Sequence, residues 1–143
     1  MSTPQSTVVL KPLSEFRFDK RKDDWELVSN VPLEGEPTLS LAEFLEEEDG
    51  GYVKGDVMLQ RSKEMGEDGN AGQLHAERLL EQQDTIPEDW RQHILVFAKT
   101  VWRNPDGDLY VPYLFWDDDK WYLLFYWLDN DFHSDSRLVR LGK

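Results

Sequence analysis

Apolar positions crowd between His93 and Leu141, where short polar stretches cut them into runs of strand length. Ile94 to Trp102 is β-branched and aromatic apart from Ala98 and Lys99, which predicts a strand covered on both faces. Asn104-Pro105-Asp106-Gly107 follows: Pro presets φ for a type I turn and Gly accepts the positive φ after it, so a hairpin is predicted. In the returning strand, Leu109 to Trp116, Leu109, Val111, Tyr113 and Phe115 point one way and Tyr110, Pro112, Leu114 and Trp116 the other. Pro112 cannot donate to a ladder, so an edge or a bulge is expected there. Asp117-Asp118-Asp119-Lys120 makes the next turn, Trp121 to Leu128 a third strand, Asp129 to Ser136 a polar loop, and Arg137 to Leu141 a short last strand. This is a four-stranded antiparallel β-meander, curled or shaped as a small open barrel.

Upstream the period changes. Asp56 is placed to cap a helix over 57–65 that Gly66 ends. Ala71, Leu74, His75, Arg78 and Leu79 form one stripe of a second helix over 70–83. Joined at residues 66–69, the two predict an αα-hairpin covering one sheet face, giving an α+β fold. Thr85 with Glu88, and Pro87 between them, signal a further short turn carrying Trp90. Ser40 with Glu43 has capping-box spacing and predicts a helix from Leu41 to Gly50, its end frayed because Glu46 to Asp49 oppose the helix dipole. The alternation in Glu15–Phe18 and Trp25–Leu27 suits either a hairpin added to the sheet or an arm anchored by its aromatics. Residues 1–13 read as mobile. The expected organisation is an N-terminal arm over 1–50, partly flexible or adding to the sheet, and a compact α+β domain over 51–143.

Composition narrows the function classes. Six Trp and a 13% aromatic share supply a core, and the absence of cysteine excludes disulfides, thiolate metal sites and a cysteine nucleophile. The net charge of −13 argues against direct nucleic-acid binding and against anionic membranes. Lys20-Arg21-Lys22, flanked by Asp on both sides, reads as a solvated turn. No stretch has the length of a membrane helix, no signal peptide is recognisable, and a cytoplasmic location is expected. No phosphate loop, dinucleotide fingerprint, GxSxG or HExxH occurs, so no cofactor is implied.

Three groups could carry chemistry. Trp116, Asp117, Asp118, Asp119 and Trp121 bracket three carboxylates between two indoles, a surface for a sugar ring or an Arg-rich partner; the plainer reading is a hairpin end with turn-forming Asp residues. Asp129, Asp131, His133 and Asp135 alternate and would share a face if extended, suiting a divalent cation, although the EF-hand spacing is missing. His75 has no ligand-type residue at i+3 or i+4, so a helical metal pair is excluded. The function expected is a non-catalytic interaction domain docking on a basic protein, with a homodimer through exposed sheet edges as a further expectation. The alternatives are a cation, carbohydrate or small-ligand binder, a nucleic-acid-mimicking inhibitor, and an enzyme with a dispersed His and carboxylate site.

Overall fold

The computed structural model describes residues 16–35, 37–66 and 69–141. Its strands are β1 (Glu26–Ser29), β2 (Leu39–Ala42), β3 (Tyr52–Lys54), β4 (Ile94–Val96), β5 (Val101–Arg103), β6 (Leu109–Asp117), β7 (Lys120–Trp127), β8 (Asp131–His133) and β9 (Ser136–Leu141). Two helices, α1 (Gly55–Glu64) and α2 (Gln73–Glu81), complete the α+β architecture. β6 is the axis of an open, mixed seven-stranded sheet. It pairs with β7 along one edge and with β5 and β4, end to end, along the other; β1 lies outside β5, and β9 then β2 lie outside β4. All these pairings are antiparallel except β4 with β9. The segment expected at 1–13 lies outside the described residues, whereas β1 and β2, both from the predicted arm, belong to the same sheet as the C-terminal strands.

The two hairpins form where the turn residues place them. Asn104 Oδ1 accepts the N–H groups of Asp106 and Asp108, and Gly107 sits at φ +91°. At the second turn Asp118 takes the left-handed conformation, φ +64°. The meander itself needs correction. Ile94–Trp102 is not one strand: it breaks after Val96, and the chain bulges out between Phe97 and Trp102 before pairing with β6 again. The Phe97 N–H reaches the Pro112 carbonyl at 3.1 Å, so the proline that cannot donate sits opposite the break. The supposed loop 129–136 contains β8, which pairs with β3 in a separate two-stranded sheet because Phe132, 2% exposed, inserts into the core. The chain then crosses to β4, so β9 never lies beside β7.

The αα-hairpin is also overturned. The segment Asn70–Gly72 is extended and passes through the slot left open where β4 ends. Ala71 N–H donates to the Val139 carbonyl, Lys99 N–H donates to the Ala71 carbonyl, and Asn70 forms a bridge with Arg140. α1 therefore packs on one face, with Met58 beside Val53, Val111 and Phe132, while α2 packs on the other, with Ala76 and Leu79 against Leu114, Trp121 and Leu123. A sheet with apolar residues on both faces needs a cover on both, and one helix goes to each. α2 consequently starts three residues later than its periodicity predicts.

Arg140 holds this crossing in place. Its guanidinium donates to the carbonyls of Met65 (2.6 Å) and Gly66 (3.0 Å), which end α1, and to Asn70 Oδ1 (2.8 Å). A Cβ on Gly69 would lie 2.5 Å from that guanidinium, so a larger residue there would push it from these acceptors. Arg140→Met keeps the aliphatic stem but strands these acceptors. It is expected to cost about 2 kcal/mol in a urea melt, the scale of hydrogen bonds to a charged group.

Two N-terminal expectations are replaced. Ser40 and Glu43 do not cap a helix: Leu39–Ala42 pairs with β9, and Glu47–Asp49 forms only one 3-10 turn. Arg61 pins that acidic turn with two bonds to Asp49 (2.6 and 3.1 Å) and one to the Phe44 carbonyl. The guanidinium, then the Glu46 N–H, holds the Asp49 carboxyl below the ordinary carboxylate range. Phe16–Phe18 forms no strand either. The N–H groups of Arg17 and Phe18 bond the two oxygens of the buried Glu77 carboxylate at 2.8 and 2.9 Å, tying the entering chain to α2.

Candidate functional site

Strand alternation decides what β6 and β7 show to each side. Leu114, Trp116, Trp121, Leu123 and Phe125 turn to α2. The register pairs Val111–Tyr126, Tyr113–Leu124 and Phe115–Tyr122 turn to the opposite face. There α1 and the β3–β8 pair cover only the Val111–Tyr126 end, leaving Tyr122 39% and Leu124 47% exposed. The rings form a continuous ladder. Tyr122 stacks near Phe115 (5.6 Å between centroids), Phe115 near Tyr113 (5.8 Å), Tyr113 meets Tyr126 edge-on (5.3 Å), and Tyr126 meets Phe132 edge-on (4.8 Å).

The ladder runs into a cavity of about 140 Å³. Ile94 and Val96 line its apolar part, Tyr113, Tyr126 and Phe132 its aromatic part, and Asp131, His133 and Asp135 add polar groups. Thus three of the four alternating residues singled out after Leu128 do come together. Asp131 Oδ1, shielded from solvent, has the Lys54 ammonium at 3.0 Å as counter-charge; Lys54 also donates to the Asp129 carbonyl at 3.2 Å. The Asp131 carboxylate raises the Lys54 pKa. Asp129 contributes its backbone rather than its carboxylate to this arrangement. The Tyr126 hydroxyl donates to the Asp131 carbonyl at 2.8 Å. Burial pushes the Tyr126 phenol above its usual range, with Asp131 and Asp135 adding to it, and burial does the same to Tyr113. Both phenols are therefore neutral donors beside carboxylates. Among the described residues, no group of three or more His, Asp or Glu side chains is placed to hold a metal ion.

The Trp116–Trp121 hairpin end is built differently from a ligand platform. Trp121 is 2% exposed, in the α2-side core, and its ring meets Trp116 edge-on at 5.9 Å. The Arg91 guanidinium lies 3.8 Å from the Trp116 ring centroid. Gln83 brackets the Trp121 backbone, donating to its carbonyl and accepting its N–H, which occupies that part of the β7 edge. Asp117 ends β6 and Asp118 and Asp119 make the turn, all three exposed.

His75 sits on α2, across the sheet from His133, so the two histidines do not share a site. The tyrosines of the ladder escaped the sequence reading, which treated both strand faces as packing. Their signal was the side-chain choice: tyrosines alternate on the open face, while leucine and tryptophan dominate the other, and tyrosine accepts a wet boundary.

No helix among the described residues is long and apolar enough to cross a membrane. No protein-family model matches the chain, and comparison with curated proteins and with solved structures gives no match.

Proposed function

We propose that this protein is a non-catalytic interaction domain that docks a basic segment of a partner protein along the aromatic ladder. A Lys or Arg side chain of the partner enters the cavity between Tyr126 and the carboxylates of Asp131 and Asp135. The observation that carries this reading is the partly exposed five-ring ladder ending at a cavity that two aspartates line. Ring faces attract cations, and they do so more strongly where water is excluded. The charge of −13 adds long-range attraction for a basic partner and makes the encounter salt-sensitive.

Fluorescence anisotropy with a peptide alternating Arg and Leu, and with its Arg-to-Gln counterpart, tests the reading. The Arg peptide should bind with a Kd of about 10 μM at low salt and weaken as salt is raised. Asp135→Asn and Tyr122→Ser, both at exposed side chains, should each weaken it about fivefold, on the scale of one cation–π or exposed ionic contact. Equal binding of the Gln peptide, or an affinity that responds to Asp117→Asn, Asp118→Asn and Asp119→Asn but not to the ladder, would reject this site.

A further inference from the structure

On the other side of the sheet, α2 with Leu33, Pro37 and Leu39 lines a second cavity, of about 250 Å³. We infer that it binds a small organic monocarboxylate, with the carboxylate on His75 and Arg78 and the apolar body against Leu33, Pro37, Leu39 and Leu79. His75, Arg78 and Leu79, at i, i+3 and i+4, lie along one face of α2, and Gln82, the residue that follows its end, completes this side of the cavity.

His75 is 3% exposed. Its Nδ1 accepts the Gly72 N–H at 3.1 Å, which leaves the proton on Nε2. Nε2 has no protein partner among the described residues, and the ring borders the cavity. The Nε2 N–H is not shielded as an unpaired buried atom but opens onto the cavity, where the acceptor of a ligand can take the place of water. Burial, and then the charge of Arg78, lowers the His75 pKa, so the ring is a neutral donor at pH 7.

Arg78 supplies the charge. It makes no ion pair among the described residues, although the chain carries 29 acidic side chains against 16 basic ones. Among the described residues that line it there is the Gln82 amide and no carboxylate; Glu34 lines the adjoining space, together with Lys99. One guanidinium and one neutral N–H suit a monoanion better than a phosphate dianion. The volume falls below the roughly 300–1,000 Å³ of sites for drug-sized molecules, so the ligand is small.

Hexanoate is the probe, followed by isothermal titration and by the ring resonances of His75 in the full chain. Hexanol is the uncharged control. Hexanoate should bind with a Kd of about 1 mM, which a usual small-ligand efficiency gives for about eight heavy atoms, and shift the His75 resonances. Arg78→Gln, at an exposed position outside the core, should weaken it about tenfold, with Arg78→Lys in between. Three results would overturn the assignment: no His75 shift up to about 20 mM hexanoate, hexanol binding as tightly as hexanoate, or an affinity that Arg78→Gln leaves unchanged.

Discussion

Gln73→Leu is expected to destabilise the fold by about 4 kcal/mol, a large part of the roughly 5–15 kcal/mol that holds a domain together. Gln73 is fully buried at the first residue of α2 and is the hub that joins three chain segments. Its Oε1 accepts the Trp102 indole N–H at 2.7 Å, and its Nε2 donates to the Phe18 carbonyl at 2.7 Å and to Glu77 Oε2 at 2.9 Å. Leucine fills a similar volume but strands the indole N–H, a peptide carbonyl and part of a buried carboxylate. Each loss costs about 1–3 kcal/mol when water cannot replace the partner. Urea titration at pH 7 checks the size. Trp102→Phe removes one stranded donor, so in the Gln73→Leu background it should cost less than it does alone. Gln73→Glu tests polarity at constant shape. It sets a second carboxylate beside Glu77, so its folded pKa should rise, and stability should recover as pH falls toward about 4.

That hub shows why part of the fold was legible and part was not. Local chemistry announced Asn104–Gly107 and the Asp118 turn, because Pro, Gly and Asx side chains act on their own backbone. It also announced α1 and α2, since a stripe at helical spacing is visible in the order of residues. What decides the sheet order is non-local. Ala98-Lys99-Thr100 interrupts a β-rich run, but only the passage of Asn70–Gly72 through that gap makes it a break rather than a wobble. Ser40 and Glu43 carry a sound capping pattern, and pairing of Leu39–Ala42 with β9 overrides it. The same holds for the sites. Alternation after Leu128 singled out Asp131, His133 and Asp135, which line one cavity without forming a metal-holding group among the described residues, while the ladder of Tyr113, Phe115, Tyr122 and Tyr126 depends on how little of one face α1 covers.

Gly55→Ala is the second large effect, and nothing in the local pattern warns of it. A Cβ at Gly55 would collide with the Leu128 carbonyl oxygen and lie 2.7 Å from the Leu128 Cα. These are backbone atoms, held in turn by Leu128 N–H donating to the Leu109 carbonyl at 2.8 Å, so they cannot swing aside. The Gly55 N–H also donates to Leu128 O at 2.8 Å, and that bond is lost as α1 is pushed off. Overpacking against a fixed backbone together with one broken hydrogen bond should cost about 3 kcal/mol. Gly107→Ala is the instructive contrast. Its φ of +91° strains any L residue, but no atom lies within 4 Å of the added Cβ, so about 1–2 kcal/mol is expected. The two also differ in function. Gly107 lies in the turn before β6 and lines no part of the ladder cavity. Gly55 sets the height of α1, whose Met58 packs in one cluster with Val96 and Phe132, two residues of that cavity. Measured at a temperature where both variants stay folded, Gly55→Ala should therefore weaken the Arg peptide as well, while Gly107→Ala should leave its affinity as it is. Equal peptide affinity in both would separate the position of α1 from the docking site.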